Sequence, residues 1–393
     1  MKNFRIFFLA VVLLSGGFFA YARIIQAAPD TEQIFYVEPA HDYANRDQMT
    51  AINTHTGQKA VFFVEKEWWG NLHPQEKSDY REVMNNLVNE FDNHIYTVMT
   101  GVYGTEWTPG IDNDLRLTVL FVRLKDNTGG YFNAVDEYPS SRFSRSNQRE
   151  MIYLNVSYLK DKRQKAFLAH EFQHVVTFYQ KDKLRGVSEE VWLNEARSEF
   201  TSTLLGYDEN YQDSNLQKRV EDFLKKPSDS LTEWRNEKYD YGAINLFMQY
   251  LVDHYGQGVL SRMIQSKKAG IASIDDALAS FGFGQTFADV FTNWTVTNFL
   301  NDCLAPPANT YCYLNPHLKD FRVSLNLVGS GSSFQTGFTV KDWAAYWYQA
   351  NAVQGPLVLK IDFSSEAPTA KFKIPYIILR KDGSRAVASL DIK

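Results

Sequence analysis

Apolar residues recur at helical spacing through Met84, Leu87, Val88, Phe91, Ile95 and Val98, which predicts one long amphipathic helix with that face turned to a core. Ahead of it, residues 30–72 read as strands and turns ending in "QKAVFFVEKEWWG". Behind it, "RLTVLFVRL" is a β-branched run that suits a buried strand, followed by the glycine-bearing "NTGGYFNAVDEYP" and a further strand, "MIYLNV". From about residue 161 to 300 the pattern turns helical. It changes again near Phe321, where "FRVSLNL" alternates apolar and polar residues strictly. "GSGSS" reads as a turn, and "PLVLKIDF", "KFKIPYIILR" and "RAVASLDI" as short strands, the last two joined through Asp382 and Gly383. The expected fold class is α+β with a C-terminal all-β, sandwich-like domain, and no internal repeat is evident.

Composition confirms that such cores can be filled. The chain has 393 residues, 44% of them hydrophobic and 15% aromatic, enough for two or three packed domains. The opening "MKNFRIFFLAVVLLSGGFFAYA" sets Lys2 and Arg5 before an apolar run and a small-x-small triplet, Ala20, Tyr21 and Ala22, the pattern of an export signal cleaved near Ala22 or Ala27. The alternative is an uncleaved anchor, but the run is shorter than the ~20 residues that span a bilayer and is broken by Ser15, Gly16 and Gly17. A secreted or extracytoplasmic protein is therefore expected. Losing Lys2 and Arg5 takes the net charge from −5 to −7, and no long basic block remains, which points away from nucleic acid as a partner. Cys303 and Cys312 lie in the Pro-rich "CLAPPANTYC", and an oxidising compartment favours their pairing as an intrachain disulfide.

The candidate chemistry sits in "AFLAHEFQHVVTF", which holds two of the chain's 8 histidines. Asp161 and Gln164 are placed to form a capping box opening a helix through this stretch. On that helix His170 and His174 project from one face, one turn apart, close enough to hold a single tetrahedral ion, with Glu171 beside them. A third ligand is needed, and a downstream helix offers it. Ser188 is placed to cap this helix, with Glu189 and Glu190 in its first turn, ahead of "VWLNEARSEFTSTLLGY". Glu195 is the candidate third ligand, and Glu199, four residues on, the candidate to hold a ligand histidine through its free ring nitrogen. Two carboxylates among Trp192, Leu193, Phe200 and Leu204 are costly as plain core.

"HEFQH" followed by "WLNEARSE" resembles the gluzincin metallopeptidases, whose pattern is HExxH with a downstream glutamate ligand. Within that clan the hyicolysin family is the one most resembled, through "SNQREMIYLN" ahead of the histidine helix and "YGAINLFMQYLVDHYG" beyond the glutamate helix, over roughly residues 75 to 300. The resemblance implies a zincin-like domain with a mixed sheet and a mainly helical lower half, Zn2+ on His170, His174 and Glu195, and Glu171 as general base. It also implies an oxyanion donor in "EKYDYGAINLF". There Tyr241 fits the hyicolysin-like pattern and Tyr239 the Tyr-x-x-Gly spacing of aminopeptidase-like relatives. His254 reads as structural. The Gly-x-Met-Glu-Asn segment of the clan's aminopeptidases is missing, which favours an endopeptidase acting on peptide or protein substrates, with "GGYFNAV" as the docking edge.

The expected organisation is a signal at 1–22, leading strands at 23–72, a zincin-like catalytic domain at 73–320 and a β domain at 321–393 available for surface or substrate binding. Two other readings stay open: a catalytically inactive surface-binding or adhesion protein, and a zinc hydrolase acting on a non-peptide substrate.

Overall fold

The computed structural model describes residues 31–126, 128–330, 339–351, 372–379 and 385–392. The leader, Asn127, most of "GSGSS", all of "PLVLKIDF" and the Asp382–Gly383 turn lie outside the described residues.

Six strands form one mixed sheet: β1 (Glu32–Tyr36), β2 (Gln48–Thr56), β3 (Ala60–Glu65), β4 (Leu117–Val122), β5 (Gly130–Phe132) and β6 (Met151–Asn155). Their spatial order is β1-β2-β3-β4-β6-β5. The β3–β4 and β4–β6 pairs are parallel and the remaining pairs antiparallel, with β1 and β5 at the edges. The continuous apolar run of β4 follows from burial on both faces. Val119 and Phe121 point with Phe62 and Ile152 into the main core, while Leu120 and Val122 meet Phe63, Tyr131 and Tyr153 on the other side.

The helices are α1 (Lys66–Gly70), α2 (Pro74–Glu90), α3 (Tyr96–Tyr103), α4 (Gln164–Thr177), α5 (Val191–Leu204), α6 (Asn215–Lys225), α7 (Lys238–Tyr255), α8 (Gly258–Gln265), α9 (Gly270–Ser280) and α10 (Phe287–Leu300). None among the described residues is long and apolar enough to cross a membrane. The long helix expected through Met84 to Val98 is α2 and α3 joined by a π turn at Phe91–Ile95. The wider turn inserts a residue, so the buried stripe continues 91, 95, 99: Met99 is buried and Val98 only half-buried. "KEWWG" at the end of the leading strands is the helical turn α1 rather than strand.

One position shows how the sheet meets α4. A Cβ on Gly130 of β5 would lie 2.6 Å from the Tyr153 carbonyl oxygen and 2.9 Å from Cγ of Glu171. Only glycine lets the edge strand approach the helix that carries the histidine pair.

Just beyond residue 320 the chain still packs on the helices. In "FRVSLNL" Phe321 and Val323 are buried but Leu327 is exposed; the two buried residues pack among helices, and the Val323 amide donates to the Asn298 carbonyl at 2.8 Å. The strand begins later, as β7 (Asn326–Ser330), paired in parallel with β8 (Tyr348–Asn351). β9 (Phe372–Leu379) and β10 (Arg385–Ile392) form an antiparallel pair. The segment before β8 is strapped to the helices. Trp343 packs edge-on against Phe287 and Phe291, and Trp347 Nε1 donates to the Thr295 carbonyl at 2.8 Å. Trp343→Ala is expected to lower stability by about 2 to 3 kcal/mol, somewhat less than truncation of a fully buried aromatic. Chemical denaturation of the full chain measures it, and a change below experimental error would show that the strap is not anchored through this ring. Cys303 and Cys312 are disulfide-bonded, with Cα atoms 5.0 Å apart.

Candidate metal centre

The first helix of the site starts differently from the expected capping box. The Asp161 carboxylate accepts the Arg163 amide at 2.8 Å and pairs with the Arg163 guanidinium at 2.9 Å, while Gln164 Oε1 is buried without a partner. Asp161 thus orders the turn before α4 through the arginine, a partner absent from the two-residue box pattern. The start of α5 is also set otherwise than expected. Ser188 donates to Asp182 at 2.6 Å, well before α5, whose N-cap is Glu190 in extended conformation. Glu189 turns inward instead, pairing with Arg197 at 2.8 Å and Lys181 at 3.1 Å and accepting the Gly270 amide at 2.7 Å. The three side chains are buried. The cluster joins the residues following α4 to the start of α5, and so sets the two helices against each other.

That placement brings Glu195 between the two imidazoles. Its Oε2 lies 3.2 Å from His170 Nε2 and its Oε1 3.6 Å from His174 Nε2. One donor atom from each of the three residues lies within 4.8 Å of the others, the one such group of three or more among the described residues. Glu195 Oε2 is off the line that a hydrogen bond to His170 needs, and this buried oxygen has no partner. Lone pairs converging without hydrogen bonds are what a shared cation would satisfy. Two imidazole nitrogens and one carboxylate oxygen with room for a fourth ligand suit zinc.

The outward ring nitrogens are also held. Ser198 Oγ gives its proton to Gln173 Oε1 at 2.7 Å and lies 3.2 Å from His174 Nδ1, so it accepts there and leaves the Nε2 lone pair free for a metal. His170 Nδ1 lies 3.4 Å from Glu199 Oε1. Glu199 is in turn gripped by Arg219, at 2.6 Å from Nε and 2.8 Å from Nη2, and by Asn215 Nδ2 at 2.9 Å. Burial alone would raise the Glu199 carboxyl, but the Arg219 charge and the His170 hydrogen bond hold it well below the usual carboxylate range. It is therefore an acceptor only, which makes His170 Nδ1 the donor. Burial lowers His174 to about 4 and keeps it neutral, as a ligand must be. His170 goes the other way: burial would lower it, but the carboxylates of Glu195 and Glu199 raise it well above the usual value. Among the protein's own charges, burial pushes Glu171 up to about 8, opposed by His170 and reinforced by Glu195 and Glu199.

Tyr241, in the first turn of α7, adjoins this group through Arg219. Its hydroxyl donates to Asn236 Oδ1 at 2.9 Å, its ring meets Trp234 edge-on at 4.9 Å, and the Arg219 guanidinium lies 4.7 Å over its face. Burial and then the charges of Glu195 and Glu199 push its phenol above the usual range. Tyr239 packs beneath the ammonium groups of Lys226 and Lys238 instead. His254 bonds the Cys312 carbonyl at 2.8 Å, a structural role. Ser198, Gln173, Asn215, Arg219 and Asn236 are functional neighbours that no sequence pattern singles out. Arg219 and Asn215 share one face of a strongly amphipathic helix, where such residues ordinarily read as solvated.

No protein-family profile matches the chain. Over 193 residues it is 30% identical to the neutral metalloprotease ShpI of Staphylococcus hyicus, a match covering 42% of this chain and 41% of that protein. The chain thus spans less than half the length of the curated relative it matches, and the likeness is that of a distant relative of a metalloprotease.

Proposed function

We propose that this chain is a secreted zinc endopeptidase of the hyicolysin type, a gluzincin, with His170, His174 and Glu195 as metal ligands and Glu171 as general base. The observation that carries the reading is the convergence of those three donors in a partly buried site with a carboxylate adjoining the first histidine. Export is supported by the leader pattern and the Cys303–Cys312 disulfide.

A zinc ion held there would supply Lewis acidity and lower the pKa of a water towards ~7. Glu171 takes a proton from the attacking water and delivers it to the nitrogen of the departing amine, so one carboxylate serves as base and then as acid. Tyr241 donates its phenolic hydrogen to the carbonyl oxygen as negative charge grows there, after letting go of Asn236. β5, an edge strand beside Glu171, offers its backbone to an extended peptide, which binds as an added strand without demanding much sequence. Glu199, Asn215 and Arg219 keep the His170 ring in place throughout. The β strands beyond residue 325 serve as an accessory module for large or surface-bound substrates.

The deciding experiment is metal analysis of the purified chain together with casein cleavage with and without a chelator. Stoichiometric zinc and chelator-sensitive cleavage are expected. Zinc without cleavage of casein or any peptide would sink the endopeptidase reading and leave a binding protein or a hydrolase of another substrate. Between the two tyrosines, Tyr241→Phe is expected to lower kcat about 10- to 100-fold with KM little changed, and Tyr239→Phe to stay near wild type. The reverse pattern would transfer the role to Tyr239.

A further inference from the structure

The loop joining α6 to α7 carries two of the groups that hold Tyr241: Trp234, edge-on against its ring at 4.9 Å, and Asn236, whose Oδ1 accepts its hydroxyl at 2.9 Å. At its α7 end the loop is pinned by buried Asp240, whose Oδ2 accepts the Arg235 and Glu237 amides, each at 2.9 Å. Asn236 makes the left-handed turn between those two amides, with φ 61°. The earlier part of the loop is pinned by chain far downstream. Ser230 Oγ donates to the Asp342 carbonyl at 2.7 Å, the amide of buried Leu231 donates to the Trp343 carbonyl at 2.9 Å, and the Lys341 ammonium pairs with the Glu233 carboxylate. Ser230 Oγ also accepts the Glu233 amide at 3.2 Å, so one hydroxyl joins the downstream strap to the turn that leads into Trp234.

The strap has its own anchor. Trp343 adopts φ 51°, a left-handed conformation that a bulky residue keeps only where its surroundings enforce it. Here its ring is set against Phe287 and Phe291 of α10, at 4.6 and 5.3 Å between centroids. The carbonyls on either side of that turn, of Asp342 and Trp343, meet consecutive loop residues, Ser230 and Leu231. Glu233, Arg235 and Asn236 are exposed, so burial does little to fix this stretch and the two pins carry the constraint.

We propose that residues 341–343 are a positioning strap for the oxyanion donor: by fixing the loop after α6 they keep Trp234 and Asn236 where these orient the Tyr241 phenol. The inference rests on the reading of Tyr241 as that donor. A donor must meet the carbonyl oxygen within a narrow range of distance and angle, so freedom in the loop that holds its ring lowers the rate without touching the metal. Chemistry at the zinc helices thereby depends on a segment that lies well past residue 320 in the chain.

The test uses full-length, zinc-loaded chains and a short unstructured peptide, so that docking of large substrates does not enter. Ser230→Ala, Lys341→Ala and their combination are compared in the wild-type and Tyr241→Phe backgrounds. The combined variant is expected to lower kcat about 5- to 20-fold with KM within about twofold and zinc still at one per chain, Lys341→Ala alone about threefold. Lys341→Arg, which keeps the pair with Glu233, should recover the Lys341→Ala loss. In Tyr241→Phe the same substitutions should cost less than about twofold, because the group they position is gone. Hydrogen exchange at the 230–236 amides should quicken about tenfold in the combined variant, a readout that needs no activity. Lys341 is exposed, so its variant carries the decision should Ser230→Ala prove unstable. Unchanged kcat in the strap variants overturns the proposal, and so does an equal loss in the Tyr241→Phe background, which would make the strap a support of the whole fold. If Tyr241→Phe is itself as active as wild type, the tyrosine assignment fails and the strap's role with it. An impaired Tyr241→Phe beside fully active strap variants leaves the tyrosine in place and excludes the strap alone.

Discussion

Replacing Glu171 with glutamine is expected to leave zinc bound at one per chain and to lower kcat on casein or a peptide by about 10³- to 10⁴-fold. The amide matches the carboxylate in shape and hydrogen-bonding reach, so the α4 backbone, the Gly130 contact and the three ligands stay in place. What it cannot do is accept a proton from the attacking water and return it to the leaving amine. The substitution also removes a titratable group from a crowded site, where burial and the charges of Glu195 and Glu199 already disfavour its anion, so the protein should be no less stable. Metal analysis, melting temperature and steady-state kinetics on the same preparation separate these effects. Activity within tenfold of wild type would falsify Glu171 as the base.

His170→Ala, His174→Ala and Glu195→Ala are each expected to lose stoichiometric zinc and, with it, all cleavage above background. A catalytic zinc has three protein ligands, and two are too few to retain it through dialysis. The loss of Glu195 should be as complete as that of a histidine. Its two oxygens face both imidazoles, at 3.2 and 3.6 Å, and no other carboxylate lies in the group that could substitute. Glu199 cannot move in to replace it, because Arg219 and Asn215 hold it on the far side of the His170 ring. Circular dichroism should show intact secondary structure in all three variants. Zinc retained at one per chain by the Glu195 variant would remove that residue from the ligand set.

Much of the site is legible in the sequence because helical geometry is local. A spacing of four puts His170 over His174 whatever surrounds them, and the same spacing puts Glu195 and Glu199 on one face of the next helix. Carboxylates among large apolar residues are conspicuous without knowledge of their partners. Helix starts are less legible, since capping depends on which side chain wins a contest among several candidates. Ser188 loses to a contact with Asp182, and Glu189, which reads as a first-turn acid, goes to a buried pairing with Arg197 and Lys181.

The helices that carry the site, the strands "RLTVLFVRL" and "MIYLNV", the histidine pair, the paired cysteines and the candidate glutamates follow from periodicity and residue chemistry within a few positions, and the sequence by itself determined them. Which strand lies at the edge, which segments cover the helices and which charges are buried was decided only by the tertiary structure. β5 sits outside β6 although it precedes it in the chain, "FRVSLNL" packs on helices although it alternates as a strand does, and Arg219 reaches Glu199 from a different helix. Glu106, Glu137 and Glu150 read along the chain as ordinary solvated acids, and only the fold buries all three. The physical reason is one of range. Backbone geometry fixes what a residue does relative to its neighbours within a turn or two, but the solvation of a charge depends on everything folded around it, brought together from positions tens of residues apart.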